Sequence, residues 1–307
     1  MIAFVFPGQG AQAVGMGKAL ADQFEICATT FAEADAALGE SLSDLIFNGP
    51  MDRLTLTENT QPAILTMSVA VCRLLDQKGI KPSFVAGHSL GEYSAHVAAG
   101  TLEFADAVRL VRNRGRYMQE AVPVGAGAMA AILGLDEAGV NQACEEAAQG
   151  EVVSAANLNG AGQIVIAGTA AAVARAGERA KALGAKRAIP LTVSAPFHCA
   201  LMKPAELRLT PELRAVPTRD PRVPIVANVD AEPKRTAAAS IDALIKQIAS
   251  PVRWEDVVQR LAKEGVTRYV EVGPGKALSG MIKRIVSGAT IQNVEGPDDL
   301  AALETIS

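Results

Sequence analysis

The segment 83–100, SFVAGHSLGEYSAHVAAG, limits the choice of fold more than any other part of the chain. Residues 83–86 are a short apolar run suited to a buried strand, and 92–99 has the periodicity of a helix that Gly100 would end. Between them lies Gly87-His88-Ser89-Leu90-Gly91, a G-x-S-x-G turn. Strand, tight turn and helix in that order build a parallel α/β sheet, and they frame a nucleophile elbow. The turn is strained, and Gly87 and Gly91 leave room where a Cβ would meet the neighbouring strand or helix. Ser89 is thereby presented at a helix N-terminus, where free N–H groups and the helix dipole favour developing negative charge. Five-residue patterns recur by chance, but the flanking strand and helix make a nucleophilic serine the stronger reading. The motif points to acyl chemistry and is silent on the acyl group.

The rest of the chain fits the same sheet. Residues 2–6, IAFVF, form a second continuous apolar run closed by Pro7-Gly8, and helical periodicity then extends to about Leu38. Residues 62–75 are apolar and helical, ending near Lys78-Gly79. From about Ala126 the texture changes. AMAAILGL, VVSAAN, QIVIAG and KRAIPLTV read as strands, and DEAGVNQACEEAA and TAAAVARAGERAKAL as helices. The order β-α-β-β-α-β is the ferredoxin-like unit. A small domain is therefore expected at 124–195, set into a large α/β domain formed by 1–123 and 196–307. Further apolar strands fall at 225–227 and 269–272.

Composition narrows the function classes. The formal net charge is −4 and aromatics are 4%, so neither electrostatics nor base stacking favours nucleic acid. No stretch reaches the ~20 apolar residues of a membrane helix. The four cysteines (Cys27, Cys72, Cys144, Cys199) are scattered without C-x-x-C pairing, as expected of buried thiols in a reducing cytoplasm.

The loop Gly8-Gln9-Gly10-Ala11-Gln12-Ala13 formally satisfies the G-x-G-x-x-G/A dinucleotide fingerprint. That fingerprint needs an acidic residue ending a second strand about 20 residues on. Here that stretch is helical and alanine-rich. GAGAMA at 125–130 also matches, but it leads into a strand where a helix is required. A loop of small residues after a strand has another use. It can bring the backbone N–H of Gln9 beside the elbow, completing an oxyanion hole with that of Leu90.

The chain has three histidines. His88 adjoins Ser89 and points to the opposite face, where it can support the turn. His96 lies seven residues along the following helix, a rise of about 10 Å, against the ~3 Å that a general base requires. Elimination leaves His198, where the chain re-enters the large domain. A third group should orient the imidazole. Asp106, Asp136 or a neutral carbonyl could do so, and nothing in the residues chooses among them.

Residues 104–122 read as an amphipathic helix with an apolar stripe at Phe104, Ala107, Val108, Val111, Met118 and Val122. Arg109, Arg112 and Arg116 lie about 100–160° from Val111, on the expected solvent face, whereas Arg114 lies only about 60° away, inside the stripe. An unpaired buried guanidinium is costly. Arg114 should therefore hold either a structural ion pair or a substrate carboxylate, which its planar fork suits.

Together these residues resemble the malonyl-CoA:acyl carrier protein transacylase family of bacterial fatty acid synthesis. The resemblance runs essentially end to end. It is carried by FVFPGQGAQ with GMGK, TQPA (60–63), GHSLGEYSA, RG-x-x-MQ (114–119), GAMAAILGL, GQIVIAG, VSAPFHCALM, PVRW and EVGPGK. It implies an α/β-hydrolase-like large domain with an inserted ferredoxin-like small domain. It further implies that Ser89 is the nucleophile, His198 its base and the Gln247 carbonyl the stand-in for a triad acid. By the same resemblance the N–H groups of Gln9 and Leu90 form the oxyanion hole, and Arg114 binds the malonyl carboxylate. Met118 and Phe197 complete the substrate site, Phe197 being the residue type associated with malonyl over methylmalonyl.

The expected reaction is ping-pong transfer of malonyl from malonyl-CoA to acyl carrier protein. Coenzyme A thioester is a substrate there, and no metal or other cofactor is expected. The basic pairs Lys186-Arg187 and Lys283-Arg284 are candidate contacts for the acidic carrier. A cytoplasmic monomer is expected, and a serine hydrolase or thioesterase of the same fold is the rival reading.

Overall fold

The computed structural model describes residues 1–304. Among these residues the strands, in chain order, are β1 (Ile2–Phe6), β2 (Phe84–Gly87), β3 (Gly127–Leu133), β4 (Val153–Gly160), β5 (Gln163–Thr169), β6 (Arg187–Pro190), β7 (Ile225–Val226), β8 (Pro233–Lys234), β9 (Arg268–Val272) and β10 (Thr290–Val294). They form two sheets. The larger has the order β10-β9-β1-β2-β7-β8, parallel except for the short β7–β8 pair.

The continuous apolar sequence of the central strands follows from helices on both faces of this sheet. Phe4, Phe6 and Val85 point into one core, which they share with the helices Glu25–Leu38, Thr57–Gln77 and Phe104–Glu120. Ala3, Val5, Phe84 and Ala86 point into the other, with Trp254, Val258 and Leu261 of the helix Trp254–Lys263. Phe4 lies opposite Val85 in the parallel register, so β1 and β2 deliver their following loops to the same sheet edge. That edge carries the site, as expected at the carboxyl ends of strands in an open α/β sheet.

The smaller sheet is antiparallel with the order β4-β5-β3-β6. The helices Glu137–Ala148 and Ala170–Ala182 share its separate apolar core through Val140, Cys144, Val173 and Ala176. This is the ferredoxin-like arrangement, and with the large sheet it gives the α/β fold class expected. The small sheet is anchored to the segment leading into the helix Trp254–Lys263, where the Leu158 N–H donates to the Val252 carbonyl and the Val252 N–H to that of Ala156.

Some details differ from the sequence reading. The periodic stretch ending at Leu38 is two helices, Lys18–Gln23 and Glu25–Leu38, separated by extended Phe24. The helix expected over 62–75 runs from Thr57 to Gln77 with Pro62 inside it. Its first turns bury Thr57, Asn59, Thr60 and Gln61, and this polar start hides it from an apolar pattern. Arg112, expected on the solvent face, is partly buried and donates to Asn59 Oδ1 at 2.6 Å.

Candidate active site

Ser89 sits between β2 and the helix Leu90–Ala99 with φ of 52°, a left-handed conformation that a serine holds only when its surroundings force it. A Cβ on Gly87 would lie 2.0 Å from the Gly91 carbonyl, and one on Gly91 would lie 2.0 Å from the Phe6 carbonyl oxygen. Both glycines are therefore required for the helix to start this close to β1. Asn228, after β7 and wholly buried, clamps the turn from below. Its Oδ1 accepts from the Ser89 N–H at 2.7 Å, and its Nδ2 donates to the Gly87 carbonyl at 2.7 Å.

His198 follows β6 on the segment that returns from the small sheet. Its Nε2 is 2.7 Å from Ser89 Oγ, and its Nδ1 is 3.1 Å from the Gln247 carbonyl oxygen. A carbonyl only accepts, so Nδ1 carries the proton and Nε2 is free to accept from the serine hydroxyl. Burial, helped by the positive charge of Arg114, pushes the imidazole down to about 3. It is thus neutral, and able to accept a proton, throughout the physiological range. Asp106 instead bonds Arg109, and Asp136 caps the helix Glu137–Ala148. The group facing Nδ1 is the neutral carbonyl.

Arg114 is 2% exposed, as its place in the apolar stripe requires. Its Nη1 donates to Gln61 Oε1 at 2.7 Å. Its Nη2 donates to Gln247 Oε1 at 2.8 Å and to Ser89 Oγ at 3.1 Å. The guanidinium also lies over the Tyr93 ring at 5.3 Å. Gln247 therefore serves twice: its backbone orients His198, and its side chain holds Arg114.

These groups open onto a cavity of about 220 Å³. Its walls include Gln9, Leu90, Met118 and Phe197, so the sequence-predicted residues converge there, with Gln247 immediately behind. Gly8 packs against the His88 carbonyl, which brings the loop after β1 alongside the elbow. Leu90 is the first residue of its helix, where a backbone N–H has no intrahelical acceptor. The Gln9 side chain bonds Thr57 Oγ1 at 3.2 Å and so pins that loop. His88 bonds Asn159 Oδ1 at 3.0 Å and tilts against Trp254, while His96 is buried in the core.

The four basic candidates do not line the cavity. Arg187 pairs with Leu133 at the end of β6 remote from Leu191, which does line it. Arg284 reaches Gln163 Oε1 at 3.3 Å, so both basic pairs flank the turn between β4 and β5.

Sequence reasoning passed over Gln61, Asn228 and Glu92. Gln61 had a visible signal, since polar Asn59, Thr60 and Gln61 stand together on one helix start. Asn228 and Glu92 had none, because their partners are distant in sequence.

Known proteins resemble this chain in sequence and in fold. A family model described as an acyl transferase domain matches residues 3–295. The malonyl CoA-acyl carrier protein transacylase of Escherichia coli K12 is 54% identical over 301 residues, covering 98% of this chain and 97% of that protein. The Bacillus subtilis protein of the same name is 50% identical over 307 residues, covering 99% and 97%. The crystal structure of an acyl carrier protein S-malonyltransferase from Vibrio cholerae superposes with a TM-score of 0.97 at 49% identity, covering 98% of this chain and 99% of that one. A malonyl-transacylase solved in complex with a type II PKS acyl-carrier protein superposes at 0.96 with 48% identity, covering 99% of both chains. Matched along nearly its whole length, the chain belongs to the malonyl CoA-acyl carrier protein transacylase family of acyl transferases.

Proposed function

We propose that this protein is a malonyltransferase, moving malonyl from malonyl-CoA to the phosphopantetheine thiol of acyl carrier protein through an ester on Ser89. The observation that carries the reading is the Arg114 guanidinium, held 3.1 Å from Ser89 Oγ with no acidic partner among its hydrogen bonds. In a malonyl thioester a single methylene separates the free carboxylate from the carbonyl under attack. A fork-shaped cation beside the nucleophile suits that carboxylate and has nothing to hold in an acetyl group.

In this mechanism Ser89 Oγ attacks the thioester carbonyl while His198 Nε2 takes its proton. The carbonyl oxygen becomes an oxyanion held by the N–H groups of Gln9 and Leu90. The carbon–sulfur bond then breaks, and His198 returns the proton to the departing sulfur of coenzyme A. In the second half-reaction the carrier thiol gives its proton to His198 and attacks the malonyl ester, and Ser89 Oγ leaves with that proton. Both steps are nucleophilic displacements at a carbonyl, which require neither a metal nor a redox group. Phe197 and Met118 pack the wall that limits the acyl branch. The exposed Lys186, Arg187, Lys283 and Arg284 offer the acidic carrier a positive edge, and a cytoplasmic location accords with four free cysteines.

Incubation with malonyl-CoA should leave the chain carrying one malonyl group by intact mass, discharged on adding the carrier. Rapid release of free malonate without carrier would overturn the transferase reading in favour of a hydrolase. Labelling that survives Ser89→Ala would remove the nucleophile.

A further inference from the structure

Arg114 is a buried cation whose hydrogen-bond partners are all neutral: Gln61, Gln247 and Ser89. The charge nearest to a match for it lies one group away. Glu92 stands three residues after the nucleophile, is wholly buried, and makes no ion pair among the described residues. Its Oε2 accepts from the Asn228 N–H at 3.0 Å and from Gln247 Nε2 at 2.8 Å, whereas its Oε1 accepts from no group among the described residues. The Gln247 amide thus bridges the two charges, its oxygen toward Arg114 and its nitrogen toward Glu92. Its dipole is aligned as a cation on one side and an anion on the other would align it. The same Nε2 donates to the Ser89 carbonyl at 2.9 Å, which ties the bridge to the elbow.

We propose that Glu92 is a positioning residue and the resident counter-charge of Arg114, acting through the Gln247 side chain, and that it competes with the substrate carboxylate for the arginine. This inference rests on the malonyltransferase reading. Burial pushes the Glu92 carboxyl up to about 7, and the bonds from Gln247 and Asn228 and the charge of Arg114 pull the other way. The charged and titratable groups facing it are Arg114 from the helix Phe104–Glu120, Asp230 after β7 and Tyr93 on its own helix. Strands β1, β2 and β7 and the helix Thr57–Gln77 also pack against that helix, the charged Arg73 and Asp76 lying by Val97 and Ala98 at its far end. A malonyl carboxylate arriving at Arg114 weakens the pull on Glu92 and favours its protonation.

The unused Oε1 makes the test clean. In Glu92→Gln the amide oxygen can keep both hydrogen bonds while the NH₂ takes the unpartnered position, so the charge is lost and both bonds remain. KM for malonyl-CoA should fall about 3- to 10-fold, the scale of a screened charge acting across one intervening group, while KM for acetyl-CoA stays unchanged. Glu92→Ala, which loses both bonds, should impair both substrates alike. Equal changes for malonyl and acetyl in Glu92→Gln would overturn the proposal. Should that variant fail to fold, calorimetry in two buffers on unreactive Ser89→Ala decides. Proton uptake near pH 7 with malonyl-CoA and none with acetyl-CoA supports the role, and uptake with neither overturns it. A wild-type enzyme showing no preference for malonyl would instead overturn the malonyltransferase reading itself.

Discussion

Replacing Arg114 by alanine tests acyl selection most directly. The guanidinium makes three hydrogen bonds, and an arriving carboxylate has only to draw the fork away from neutral oxygens. Hydrogen bonds to a charged group are worth about 1.5–3 kcal/mol each. Losing a two-bond fork therefore removes about 3–6 kcal/mol from the malonyl transition state, a factor of about 10² to 10⁴ in kcat/KM. Acetyl transfer has no such fork to lose and should change by no more than a few-fold. Stability responds in both directions, because removing a buried cation is favourable while orphaning Gln61 Oε1 and Gln247 Oε1 costs about 1–3 kcal/mol each. The assay is kcat/KM for malonyl- and acetyl-CoA with carrier protein as acceptor, with Tm measured on the same preparations. Arg114→Lys keeps a charge but not the fork and should fall between the two. An equal loss on both acyl groups in a folded Arg114→Ala variant would refute the carboxylate role and leave Arg114 a structural residue.

Two further outcomes follow from backbone packing and buried charge. Gly91→Ala puts a Cβ 2.0 Å from the Phe6 carbonyl oxygen, against ~3.5 Å for ordinary contact, and β1 is held between β2 and β9. It should lower stability by about 3 kcal/mol or more and abolish Ser89 labelling; native Tm with full labelling would show that the elbow does not need this glycine. His96 is buried with neither ring nitrogen partnered among the described residues, and burial pushes it down to about 3. Because that value lies below the ~6.5 of the unfolded chain, its unfavourable contribution grows as pH falls from about 6.5 toward 3, at about 1.4 kcal/mol per pH unit. His96→Leu should accordingly recover about 2 kcal/mol of unfolding free energy at pH 5 relative to pH 7, measured by denaturant titration at both.

How much of this was legible depended on how local each signal was. The elbow is a contiguous motif whose strand, turn and helix are each readable from a few neighbouring residues, so Ser89 stood out. Arg114 was visible because helical geometry fixes which face a residue occupies, even without knowing what covers that face. His198 was reached only because three histidines leave few choices, and its placement depends on a chain crossing that no local pattern encodes. Gln247 was beyond the residues altogether, since any residue carries a carbonyl, and only the family resemblance pointed to it. Asn228 and Glu92 lie 136 positions apart, and the bond between them exists only once β7 is laid beside β2. Long-range polar networks of this kind leave no periodicity behind.

The main-chain acceptor behind His198 also limits what genetics can see. Every substitution at position 247 other than one that moves the helix leaves a carbonyl in place, so no side-chain change deletes the third member of the relay. A scan through Gln247 would report instead on the amide that bridges Arg114 and Glu92. Its phenotype would register as altered acyl preference, and the residue would be filed under substrate recognition while its backbone went on orienting the base unnoticed.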